Sequence, residues 1–260
     1  MRLKNKVAVV TGGGVGIGRA ISLAFASEEA AVVVAARALP RLEAVADEIR
    51  SGGGRAIAIQ TDVSDENQVK KMVAQTLNEY GQIDILVNNS GIAGPTINVV
   101  DIKLGDWNEV LAINLTGAML CAREVLKSMI ARQSGNIINI SSGAGRGGFA
   151  MRSPYCVSKW GIIGLTQTLA VETGEYNIRV NCIAPGAVEG ERIENVIKAV
   201  VKATGLTYEE SRNKSTAEAA LRRMVTATEI ANTAVFLVSD ESSGITGQTV
   251  DVNAGSQIRV

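Results

Sequence analysis

The chain has 260 residues, is 46% hydrophobic, and balances 26 acidic against 26 basic residues. Such a charge gives no support for nucleic acid as the main partner, and the complete absence of histidine excludes a Ser-His-Asp triad, a Cys-His pair and a histidine zinc site. Three scattered cysteines, Cys121, Cys156 and Cys182, fit a reducing compartment better than a disulfide framework, and no apolar run reaches membrane-spanning length, so a soluble cytoplasmic protein without membrane contact is expected.

Short apolar runs alternate with helical patterns. "KVAVV" (6–10) reads as a buried strand, and Ala20, Ile21, Ala24 and Phe25 follow on one helical face. "AVVVAA" (31–36) is a second strand, and Leu39, Leu42, Val45, Ala46 and Ile49 mark a helix. "AIAIQ" (56–60) precedes a stripe of Val69, Met72, Val73 and Leu77. "IDILVNN" (83–89) precedes a long helical pattern from Trp107 to about Ile130. Further strands are expected at 136–141, 178–184 and 248–252, with a helix over 154–174 between the first two. The alternation predicts a parallel sheet with helices on both faces, in one domain spanning 1–260.

Residues 189–224 break the rhythm, being polar, charged and helical in pattern. They lie between the last two strands, beyond the carboxyl end of the sheet, where open α/β folds bind ligands. A substrate lid and a solvated surface excursion both fit; the lid is the expectation.

"VVTGGGVGIGRA" joins the first strand to the first helix, with Gly12, Gly16 and Gly18 at G-x-x-x-G-x-G spacing. Such a turn lets backbone approach a pyrophosphate, and the helix N-terminus adds N–H donors and partial positive charge. No Lys-Ser/Thr follows, so this is no NTPase loop. The second strand ends in Ala36 and Arg37, with no acid to accept from a ribose 2′-hydroxyl. Arginine there suits a 2′-phosphate, which favours NADP(H) over NAD(H), unless Arg37 is only a solvated residue opening the next helix.

"SPYCVSKWG" places Tyr155 and Lys159 one helical turn apart. A free tyrosine titrates near 10; a nearby ammonium lowers that and makes the phenol a usable acid/base at neutral pH.

Taken together, the chain resembles the short-chain dehydrogenase/reductase family. The motifs are "TGGGVGIG" (11–18), "TDV" (61–63), "NNSG" (88–91, with Ser90 where the family has alanine), Asn114 in "LAINL", Ser142 in "NISSG", "YCVSK" and "APG" (184–186). The match runs from about residue 5 to "ITGQTVDVNAG" near the end. It implies a Rossmann-type, doubly wound parallel sheet of about seven strands. It also implies hydride transfer between a nicotinamide and a carbonyl or secondary alcohol. By resemblance, Tyr155 is the general acid/base, and Lys159 also holds the nicotinamide ribose. Ser142, thirteen residues before Tyr155, would hydrogen-bond the substrate oxygen, with Ser141 as the alternative. Asn114 would hold a proton-relaying water. Cofactor contacts carried over are Gly12, Ile17, Arg37, Asp62, Val63, Asn89, Tyr155, Lys159 and Val188.

The substrate is less legible. Arg146, Arg152, Arg192 and Arg212 are candidates to meet an anionic group, and Phe149, Trp160 and Tyr208 are candidate pocket walls. A 3-oxoacyl-carrier reductase and an NAD-dependent alcohol or sugar dehydrogenase are the enzymatic alternatives; a nucleotide-binding redox sensor is the non-enzymatic one. Similar proteins assemble through the helices near 107–130 and 154–174, so a homotetramer is expected.

Overall fold

In the computed structural model, which describes residues 1–217 and 219–256, β1 (Val7–Thr11) lies at the centre of the chain's first half. It is five residues long and buried throughout, as a strand covered on both faces must be. Around it stand β2 (Ala31–Ala36), β3 (Arg55–Gln60), β4 (Ile85–Asn88), β5 (Gly135–Ile140), β6 (Ile178–Pro185) and β7 (Thr249–Val252). The strand order is β3-β2-β1-β4-β5-β6-β7, and every pairing is parallel. The order reverses between β1 and β4, which opens a crevice at their carboxyl ends.

Alternation along the strands sorts side chains to two faces. Ala8, Val10, Val32, Val34, Val87 and Ile138 pack with Ile21 and Phe25 of α1 (Gly16–Ser27), Leu42 and Val45 of α2 (Leu39–Ser51), and Ile230 and Ala234 near the C-terminus. Val9, Val33, Leu86, Ile137 and Val180 face the other way. They meet Val69 and Met72 of α3 (Glu66–Tyr80), Leu120 and Val125 of α5 (Gly117–Arg132), and Leu169 of α6 (Ser153–Thr173). Each large aliphatic side chain so buried contributes roughly 1.5–3 kcal/mol.

The long pattern from 107 to 130 is two helices rather than one. α4 (Leu104–Leu111) runs through a π-helical turn, Ala112–Thr116, into α5. The chain stays helical through that wide turn, so apolar spacing alone does not reveal it. β4 is also shorter than its apolar run, because the Asn89 N–H turns off the ladder to the Thr11 hydroxyl at 3.0 Å.

Residues 189–224 hold α7 (Glu191–Thr204) and α8 (Tyr208–Ala217). The excursion is tied at its base: Val188 bridges Val225 in parallel, the Val225 N–H donating to the Ala187 carbonyl and its carbonyl accepting from the Glu189 N–H, each at 2.9 Å. α9 (Ala227–Val238) then begins on a capping box between Thr226 and Glu229. None of the described helices is long and apolar enough to cross a membrane.

Candidate active site

The glycine loop is built for close backbone approach. Gly12 has φ +65°, and a Cβ there would lie 2.7 Å from Asn89 Nδ2. A Cβ on Gly18 would lie 2.1 Å from the Gly12 carbonyl oxygen, so only glycine lets α1 sit on the loop. Gly16, at φ +53°, faces open space. The Val15 N-cap supplies no side-chain hydrogen bond and the first turn of α1 carries no acid. The helix therefore presents free N–H groups and its positive dipole end, a fit for a pyrophosphate. Ile17 is half-buried in that first turn.

Asn89 braces the loop from β4: Nδ2 donates to the Thr11 and Gly12 carbonyls at 3.0 and 3.2 Å. The Thr11 hydroxyl accepts from the N–H groups of Asn89 and Ser90 and donates to the Val87 carbonyl at 3.2 Å. The Asn89 side chain thus shapes the cradle instead of reaching into it.

Arg37 is exposed just past β2. Its carbonyl accepts from Gln60 Nε2 at 2.9 Å, while its guanidinium pairs with no described residue. Past β3, the Asp62 N–H donates to Gln68 Oε1 at 2.9 Å and its carboxylate accepts from the Ser64 hydroxyl at 2.6 Å. Val63 is buried against Gly117. Val188 is half-buried just beyond β6. Arg37, Asp62, Val63, Asn89 and Val188 thus all follow the carboxyl ends of strands, on the rim where the glycine loop opens.

A chain of buried amides fixes α6 on the sheet. Asn88 Nδ2 donates to Asn139 Oδ1, and Asn139 Nδ2 donates to the Thr166 hydroxyl, each at 2.9 Å. One end of α6 then carries Tyr155 and Lys159. The Lys159 ammonium is buried, donates to the Ile140 carbonyl at 2.7 Å and lies 5.8 Å from the Tyr155 ring centroid. The two neighbouring serines divide. Ser141 is buried and its hydroxyl donates to the Lys159 carbonyl at 2.8 Å. Ser142 is half-buried, accepts from the Ala144 N–H at 3.2 Å and is among the groups that hold the Tyr155 pKa down.

Asn114 lies in the π turn, a feature often found at functional sites. Its Oδ1 accepts from the Ile92 N–H at 2.8 Å. Its Nδ2 donates to the Ile92 carbonyl at 3.0 Å and the Ser158 hydroxyl at 3.1 Å. The side chain is therefore taken up in holding the turn after β4 against α6. Gly91 belongs to the same knot: a Cβ there would sit 3.0 Å from Asn114 Oδ1 and 3.7 Å from Lys159 Nζ.

Burial works against ionisation of Tyr155, but Lys159, Arg192, the Ser142 hydrogen bond and Arg152 outweigh it. The phenol is held below its ordinary value of 10.0. Burial likewise lowers Lys159, opposed by its attraction to the phenolate.

Of the four arginine candidates, two come to this tyrosine. Arg152 lies 5.1 Å and Arg192 6.0 Å from the ring centroid. Arg146 instead reaches the sheet edge, donating to the Thr249 carbonyl at 2.8 Å and pairing with Asp251. Arg212 acts on Tyr208, whose hydroxyl binds Glu194. Sequence reading passed over Thr11, Gly91 and Ser158. All three stand inside quoted motifs, "TGGGVGIG", "NNSG" and "YCVSK", but nothing else in the sequence marks them.

A doubly wound parallel sheet with this cradle at its switch point defines the class: a dinucleotide-dependent oxidoreductase. Comparison with known proteins narrows it. Residues 6–200 match the family described as short chain dehydrogenase, and the chain belongs to the short-chain dehydrogenase/reductase family. It is similar to the 3-oxoacyl-(acyl-carrier-protein) reductases of Thermotoga maritima, 35% identical over 98% of this chain and 99% of the relative, and of Synechocystis, 38% identical over 97% of each. Among solved structures it is similar to levodione reductase (33% identity, TM-score 0.93, 98% of both chains). NAD+-bound xylitol dehydrogenase is also similar (32%, TM-score 0.95, 98% of this chain and 100% of the other). So is an actinorhodin polyketide ketoreductase with NADPH (31%, TM-score 0.93, 98% of both). The protein is an NAD(P)-dependent oxidoreductase acting on CH–OH groups.

Proposed function

We propose that the protein is an NADP(H)-dependent carbonyl reductase, or secondary-alcohol dehydrogenase in the reverse direction, with Tyr155 as general acid/base. The observation that carries this reading is the buried Lys159 ammonium, fixed on the Ile140 carbonyl 5.8 Å from the Tyr155 ring, where it helps hold the phenol below its ordinary pKa.

The bound reduced dinucleotide supplies the hydride that the carbonyl carbon accepts. Ser142 and Tyr155 orient the carbonyl oxygen, and Ser142 stabilises charge developing there. Tyr155 gives its proton to that oxygen, leaving a phenolate beside the Lys159 ammonium. The Ile140 carbonyl and the Ser141 hydroxyl hold Lys159 in place. Asn114 and Ser158 fix the turn facing it. In alcohol oxidation the phenolate takes the proton back.

Gly12 and Ile17 would cradle the pyrophosphate, and Arg37, without an ionic partner among the described residues, would take a 2′-phosphate. Asp62 and Val63 would flank the adenine, Asn89 would brace the loop, and Val188 would pack under the nicotinamide, with Lys159 on its ribose. The NADPH in the ketoreductase structure supports the NADP(H) preference; the xylitol dehydrogenase holds NAD+. Residues 189–224 would act as a lid over the substrate. A cytoplasmic homotetramer belongs to the same reading: the three cysteines are buried and free, and Val157, Trp160 and Val171 are exposed apolar residues on α6.

The second reading, favoured by the curated relatives, is reduction of 3-oxoacyl groups on an acyl carrier. A panel of ketones, alcohols and 3-oxoacyl thioesters with NADPH, NADP+ and their NAD counterparts, followed at 340 nm, separates these readings. Absence of turnover with every pair sinks both.

A further inference from the structure

Two guanidinium groups close on Tyr155, and neither has a counter-ion among the described residues. Arg152 donates to Thr96 Oγ1 at 3.2 Å and to the Ala93 carbonyl at 3.0 Å. Arg192 donates to the Gly91 carbonyl at 3.2 Å. These partners are neutral and leave most of each guanidinium's five donors unused. Among the described residues no carboxylate forms an ion pair with either arginine. The charged neighbour of Arg152, apart from the ionisable Tyr155 and Cys156, is Arg192 itself, which repels it.

Their placement is also against local electrostatics. Arg152 is the N-cap of α6 and Arg192 the second residue of α7. A helix N-terminus already carries partial positive charge and favours acids. α7 does carry Glu191 and Glu194 in its first turn, but neither pairs with Arg192, and the two guanidinium groups and the buried Lys159 ammonium all meet at Tyr155. The cofactor does not relieve this positive charge, because a nicotinamide is neutral when reduced and cationic when oxidised. Its phosphates are provided for by the glycine loop and Arg37.

We infer that Arg152 and Arg192 form an oxyanion-binding fork for the substrate, and that the physiological substrate is a short oxo acid, or the matching hydroxy acid, whose carboxylate lies close to the reacting carbon. Both guanidinium groups stand over the ring whose hydroxyl serves the carbonyl oxygen, so anion and carbonyl must be near neighbours in one small molecule. Planar carboxylates match the guanidinium fork. A 3-oxoacyl thioester offers no such charge at its reacting end; its phosphate sits at the far end of a long arm. This inference rests on the carbonyl reduction proposed above and names its substrate class.

The test compares kcat/KM, with NADPH and with NADH, for acetoacetate and 2-oxobutanoate against their methyl esters. Wild-type enzyme is expected to prefer the acids. Arg192→Ala lies on an exposed helix start and leaves the core untouched; it should lower the acid-to-ester ratio by on the order of 10- to 100-fold. Arg192→Lys, which keeps charge but not the fork, should lower it less. Arg152→Ala should act in the same direction, with its melting temperature measured alongside. Using the ratio removes any general effect on Tyr155. Esters turned over as well as or better than the acids by wild type, or a ratio unmoved by Arg192→Ala, would overturn the inference while leaving carbonyl reduction standing. No nicotinamide oxidation with acids, esters or any neutral ketone would sink the underlying reaction instead.

Discussion

The Lys159 ammonium lies 5.8 Å from the centre of the Tyr155 ring while donating to the Ile140 carbonyl at 2.7 Å. The backbone of β5 therefore fixes where the positive charge sits relative to the phenol. Helical spacing alone brings the two side chains to one face; the carbonyl determines that the ammonium stays there.

Tyr155→Phe removes the transferable proton and preserves the ring packed beneath Arg152 and Arg192. Turnover should fall by about 10²–10⁴-fold, with dinucleotide affinity nearly unchanged. Steady-state rates at 340 nm and fluorescence titration of the cofactor measure the two quantities. A variant retaining near-normal kcat removes Tyr155 from the mechanism.

The pH dependence has a definite sign. Alcohol oxidation needs the phenolate, so its rate rises as pH passes the Tyr155 pKa; carbonyl reduction needs the phenol and falls there. Arg192 helps hold this pKa down, so Arg192→Ala moves both transitions to higher pH. Profiles of kcat for wild type and variant check this, and coincident curves contradict it.

Arg37→Asp replaces an unpaired guanidinium by a carboxylate that repels a 2′-phosphate and accepts from a ribose hydroxyl. The kcat/KM for NADPH should drop by on the order of 10- to 100-fold, with NADH use maintained or improved. Equal losses for both cofactors would mean that Arg37 does not discriminate.

Asp84 is a structural counterpart to the site. It is nearly fully buried, accepts from the Val7 N–H at 2.8 Å and pairs with Arg132 at 2.7 Å, joining β1 to the end of α5. Asp84→Ala leaves that N–H and the guanidinium without their partner and should cost about 3–5 kcal/mol. Urea denaturation read by circular dichroism gives the value; a loss under 1 kcal/mol rejects the cross-link.

The strands and most helices were legible because apolar runs of four to eight residues bounded by glycine or polar turns have few other readings. The family resemblance named Ser142, Tyr155, Lys159 and the glycine loop, and these residues converge at one end of the sheet. The π turn at Asn114 was not legible: Leu111, Leu115 and Met119 read as one stripe, yet the extra residue in the turn shifts the phase and leaves Met119 exposed. Nor did sequence separate Arg152 and Arg192 from Arg146 and Arg212. Nothing in their immediate sequence sets two of the four apart, and only the path of the chain decides which reach Tyr155. Between the two serines the resemblance preferred Ser142 for its spacing from Tyr155, and the structure gives Ser141 another task, its hydroxyl donating to the Lys159 carbonyl.

The strand order carries a consequence for biosynthesis. β1 emerges first from the ribosome, yet its second neighbour, β4, is complete only at Asn88, and β6 gains its outer partner only when Thr249–Val252 has been made. Until then one side of β6 offers bare amides and carbonyls to any passing strand. Nascent chains that lack β7 are for that reason more adhesive, and its pairing hands the open edge to a strand of only four residues.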